Sequence, residues 1–181
     1  MEFVLSYYTL YNQVMKFDNI LNPEAKTFLE EFTENRAINR EFYEKVPEDQ
    51  FNFRMVDTPE RKSDSVRETL AHQIGVQIDY LNAIESGKLM FVSGSNTELK
   101  KLLKDKLLDV LTRIDKELID LLADQVNCVR KISVPWSEEP IPATQMLWGL
   151  NNHEILTTGW ILAIMDHLNM QRFSKLKERW G

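Results

Sequence analysis

An all-α fold follows from three features of this 181-residue chain. Only six glycines and six prolines occur, so the frequent turns of an all-β protein are missing. Apolar residues recur at three- and four-residue spacing through long stretches, and residues that cap helices stand where those stretches begin. With 43% hydrophobic and 28% charged residues, the composition is that of one globular domain with a substantial core.

Residues 1–21 are rich in aromatic and aliphatic side chains and stand apart as an N-terminal extension. Their pattern fits either a short extra helix or an extended strip over the bundle. They hold Glu2 and Asp18, lack a basic leader, and do not read as a signal peptide.

Residues 22–181 then divide into four helical segments. Asn22 and Pro23 supply an N-cap and a first-turn proline, the stripe Ala25, Phe28, Leu29, Phe32 follows, and Pro47 closes the segment. Ser65 and Glu68 form a capping box for a second helix with Leu70, Ile74, Gln77, Ile78, Leu81 and Ile84 on one face, ending at Gly87. Ser95 and Glu98 suggest another capping box, and the stripe from Leu99 through Leu102, Leu103, Leu111, Ile114 and Leu118 predicts a third helix reaching about Val126. From Cys128 to Pro142 the prolines 135, 140 and 142 favour an extended crossover. A fourth helix carries Met146, Leu147, Leu150, Ile161, Ile164 and Leu168 inward. The two longer connections, Pro47 to Asp64 and Asn127 to Pro142, make a four-helix bundle with two crossovers the expected architecture.

The net charge of −6 argues against a broad phosphate-binding surface, so nucleic acid is not an expected partner. The basic residues Lys175, Lys177 and Arg179 read as a solvated last helical turn. No run of about 20 apolar residues is present, so no membrane span is expected. Cys128 is the single cysteine, it reads as a packing residue, and the expected location is the cytoplasm. Phosphate-loop, dinucleotide-binding and nucleophile-elbow motifs are missing.

The stretch His153 to Trp160 carries the most chemistry. Residues four apart on a helix are displaced by about 40° and about 6 Å, so two histidines at that spacing could grip one metal ion. Here the second position is Thr157, whose neutral hydroxyl is a far poorer ligand than imidazole. The string also resembles the H-E-x-x-H protease motif without its last histidine. On a wheel drawn from Leu150, Thr157 lies about 20° and His153 about 60° from the stripe centre, so both face or flank the interior. That position suits a ligand, and it equally suits an inward histidine bonded to a neighbour. His72 falls nearly opposite the stripe of the second helix and is a surface residue unless that helix buries two faces. His167 is about 21 Å beyond His153 along the axis, too far to share an ion.

The order of Asn35 to Arg40, Val46 to Asp49, Ser65 to His72 and His153 to Gly159 resembles the DinB-like family of helical bundles. The resemblance runs from about Glu24 to Leu168. It implies a divalent-metal site made by one histidine of the second helix and an H-x-x-x-H pair on the last. His72 and His153 match that set, and Thr157 occupies its third position, so zinc or nickel would be held weakly or not at all. Two functions are then open: a bundle that binds a small molecule or partner without catalysis, or a metal-dependent thiol transferase or hydrolase. Thr157 favours the first. The family and the aromatic residues Phe3, Tyr7, Tyr8 and Tyr11 together suggest a homodimer.

Overall fold

A computed structural model describes residues 17–93 and 97–181, and the fold is mostly helical. The aromatic residues behind the homodimer expectation, and Ser95 of the second capping box, lie outside the described residues. Four long helices carry the architecture: α1 (Pro23–Lys45), α2 (Val66–Ser86), α3 (Lys104–Ala123) and α5 (Ala143–His167). Two short ones, α4 (Gln125–Val129) and α6 (Ser174–Trp180), follow α3 and α5. A two-stranded antiparallel ribbon, β1 (Lys131–Ile132) with β2 (Ile141–Pro142), closes the connection into α5.

The expected caps form. The Asn22 side chain accepts from the Ala25 amide, and Ser65 and Glu68 make both bonds of a capping box. Gly87 ends α2 with φ at 79°, a left-handed conformation that costs glycine little. Two cations finish other ends. Lys104 donates to the carbonyls of Glu44 and Val46 at the end of α1, and Arg130 donates to those of Ile84 and Glu85 at the end of α2.

The third segment departs from the sequence pattern at both ends. Leu99–Lys101 is a 3-10 turn, Leu102 and Leu103 are extended, and α3 begins only at Lys104. Leu99 still enters the core, because burial rewards an apolar side chain whatever backbone presents it. At the other end Asp124 leaves helical geometry and its carboxylate caps α4, so the helix stops at Ala123 instead of Val126. Arg179 does not stand in solvent as a last-turn charge; it pairs with Glu31 and Glu34 of α1 and fastens α6 there.

The long helices pack in pairs: α1 on α5, α5 on α2, α2 on α3, and α3 on α1. Their shared core holds Phe28, Phe32, Phe42, Leu70, Ile74, Leu111, Leu118, Leu150 and Ile161. No helix among the described residues is long and apolar enough to cross a membrane.

Candidate functional site

One level of this core is polar on all four long helices. On α1 the stripe Ala25, Phe28, Leu29, Phe32 continues at Asn35, Arg36 and Asn39 before resuming at Phe42 and Tyr43. Gln73 and Gln77 interrupt the stripe of α2, Asp115 that of α3, and Glu154 with Thr158 that of α5. These side chains meet. Arg36 lies 3.1 Å from Glu154 and 3.4 Å from Asp115, and it also donates to the side-chain amide oxygen of Gln77. Gln73 donates to both Glu154 oxygens at 3.1 and 3.0 Å, Asn39 donates to one of them at 2.9 Å, and Gln77 donates to Asp115 at 3.0 Å.

Glu154 is fully buried, and burial pushes its carboxyl up; Arg36, Asn39 and Gln73 oppose that rise. Both oxygens face donors only, so the network is shaped around the carboxylate form. The sequence pattern had marked Gln77 only as a stripe position. The signal that exposes the rest is polar residues at stripe positions on each helix at a common level.

On α2 and α5 the preceding residue points elsewhere. His72 and His153, one before Gln73 and Glu154, approach with Nε2 atoms 3.2 Å apart and rings 5.1 Å between centroids. His72 therefore does not stand free on the surface, because α2 buries two faces. Both histidines line a cavity of about 640 Å³ between α2 and α5. From α2 it takes His72, Val76, Asp79 and Tyr80, and from α5 Gly149, Asn152, His153 and Leu156; Phe91 and Lys100 complete the wall. That volume lies within the range of small-molecule sites.

Local details hold the wall in place. Asp79 accepts from the Val92 and Ser93 amides at 3.0 to 3.1 Å and so pins the segment that carries Phe91. Phe91 meets Tyr80 edge-on and stacks on Trp136. A Cβ at Gly149 would lie 2.5 Å from the Tyr80 hydroxyl, so the absence of a side chain there is what lets Tyr80 reach α5. Burial raises the Tyr80 phenol to about 12, which keeps it a donor.

The histidine pair passes one metal test and fails two. Two zinc–nitrogen bonds at a tetrahedral angle put their nitrogens roughly 3.3 Å apart, close to the separation seen. Among the described residues, however, no group of three His, Cys, Asp or Glu is placed to hold an ion. Thr157 is buried, and its hydroxyl donates to the His153 carbonyl at 2.9 Å. A metal-bound imidazole ordinarily donates its far N–H to an acceptor, yet the His153 Nδ1 is buried with no partner among the described residues.

That same orphan sets the proton. A buried lone pair without a donor is more easily tolerated than a buried N–H without an acceptor, so His153 carries its proton on Nε2 and donates to His72. Burial, with the His72 and Arg36 charges, lowers the His153 pKa from 6.5 to about 4, so this imidazole is neutral at pH 7.

His167 ends α5, exposed and remote from the pair, with Nδ1 2.9 Å from the Ala163 carbonyl. Cys128 is fully buried, and burial followed by the Asp124 charge raises its thiol, which suits packing better than attack. No family model matches the chain, and no curated protein matches it.

Proposed function

We propose that this chain is a DinB-like four-helix bundle that binds a small molecule in the cavity between α2 and α5, without a resident three-ligand metal. The pairings of α1 with α5, α5 with α2, α2 with α3 and α3 with α1 support the bundle, since they close a ring. In such a ring α1 and α2 sit on one diagonal and α3 and α5 on the other, which accounts for a long connection at each of those two steps.

The observation that carries the binding reading is the cavity itself, with two imidazoles in its wall and Thr157 bonded to its own helix. Two nitrogen ligands without a third, and with no acceptor for His153 Nδ1, leave any ion weakly held. The chemistry that remains is hydrogen bonding and apolar contact, which recognise a ligand without transforming it.

Metal content and a titration test this. Protein purified without chelator should carry zinc or nickel at well below one ion per chain. Thr157→His should tighten zinc binding by at least about tenfold, and the gain should vanish in Thr157→His/His72→Ala. One tightly held ion per parent chain would overturn the proposal in favour of a metal-dependent transferase or hydrolase. A gain that survives removal of His72 would break the link to a shared DinB-like site.

A further inference from the structure

Two donors of the α2–α5 cavity, Lys100 and Tyr80, have no acceptor among the described residues, and Asn152 adds a carboxamide that can donate or accept. Lys100 lies in its wall, partly buried, and its ammonium has no ion pair among the described residues, whereas Lys101 beside it pairs with Glu98. The Tyr80 hydroxyl takes no hydrogen bond from a described residue, and it stays protonated. The one carboxylate in the wall, Asp79, is 2% exposed, with both oxygens held by the Val92 and Ser93 amides. It is therefore taken up in fixing the wall. The rest of the lining is largely apolar: Phe91, edge-on to Tyr80, is 53% exposed and continues into Trp136, also 53% exposed, while Val76 and Leu156 add aliphatic surface.

An aromatic face beside a phenol and an ammonium that has no ion pair among the described residues selects one ligand class. We propose that the cavity binds a planar aromatic carboxylate, its ring against Phe91 and its carboxylate accepting from Lys100 and Tyr80. This rests on the reading of the cavity as a ligand site. A cationic ligand of the same shape would meet Lys100, while Asp79, the one carboxylate among the described lining residues, has its oxygens held by two amides. A neutral one would leave the ammonium and phenol without their charge-assisted partner.

Three probes with one ring system separate these cases: 2-naphthoate, 2-naphthylmethanol and 2-naphthylmethylammonium. Each is titrated into the full chain while backbone amide shifts of Tyr80, Phe91 and Asn152 are followed by NMR. Naphthoate should shift these signals saturably and bind about tenfold more tightly than the alcohol, with the ammonium weakest. Lys100→Met, which keeps the aliphatic stem, should remove that advantage, and Lys100→Arg should restore it. If the alcohol or the ammonium binds as well as naphthoate, or Lys100→Met changes nothing, the carboxylate assignment falls while the ligand cavity stands. If none of the three moves the cavity signals, the ligand reading falls with it.

Discussion

Gln73 and Glu154 on one hand, His72 and His153 on the other, are sequence neighbours that serve opposite kinds of polar site. A helix turns about 100° per residue, so adjacent side chains leave its axis in different directions. One direction enters the core, where both Glu154 oxygens face donors from Arg36, Asn39 and Gln73. The other enters the cavity, where two half-buried imidazoles share one hydrogen bond and His153 Nδ1 has none. The difference lies at Glu154 and not across the whole network, since Gln73 Oε1 beside it is also buried without a hydrogen bond among the described residues. A buried carboxylate matched at both oxygens ties helices together, whereas the histidine pair lines space that a ligand can enter.

The core side should respond most to mutation. Arg36→Met leaves Glu154 and Asp115 buried without their cation, and breaking such a group from one side costs about 3–5 kcal/mol. Urea unfolding should show that loss in the midpoint. Neutralising the carboxylates as well, with Glu154→Gln and Asp115→Asn, should recover part of it, because no uncompensated charge then remains inside. A loss below about 1 kcal/mol for Arg36→Met would mean that the four-helix network is not the locking element described above.

The cavity side should respond to acid. His153 titrates near 6.5 when unfolded and at about 4 when folded, so between those values the unfolded chain binds more protons. Stability is complete above pH 6.5 and should fall by up to about 3 kcal/mol as pH drops to 4. Glu68, whose burial is outweighed by Arg54 and Ser65 so that its pKa drops to about 2, begins to lose its contribution near 4.5, at the acid end of that window, and loses most of it below pH 4. Unfolding free energies of the parent and His153→Gln, compared from pH 7 to 4, isolate the effect: the parent curve should be steeper. Parallel curves would show that His153 is not held neutral by its surroundings.

Most of the helical framework was legible because caps and periodicity are local. Asn22, Ser65 with Glu68, and Gly87 each perform the capping their identity suggests. The start of α3 was not, because Leu99, Leu102 and Leu103 keep helical spacing while Leu102 and Leu103 are extended, and periodicity reports burial before it reports backbone. The core network was half legible. Arg36 and Asp115 lie in register with their stripes, but a charged residue is read as exposed unless its partners on other helices are known, and those partners are up to 118 residues away in sequence, as Arg36 is from Glu154. His72 faced the same barrier. A wheel built on one stripe assigns it to the surface, and only packing on two sides of α2 turns it toward His153.

The smallest effect is expected at His72, and it sharpens the comparison most finely. His72→Ala removes a neutral hydrogen bond, which contributes about 1 kcal/mol, and does so beside a cavity open enough for water to take the vacated place. Loss of that bond should therefore contribute about 1 kcal/mol or less, and the total should stay well below that of Arg36→Met. The same substitution removes one of the charges that hold His153 down, so the His153 titration should move upward, read from its imidazole NMR signals. Burial and Arg36 still act on it, and the pKa should stay below 6.5. A stability loss like that of Arg36→Met would place His72 in the structural network. An unmoved His153 titration would show that the two rings do not sense each other, and the division of adjacent residues between a closed core and an open cavity would then lose its second half.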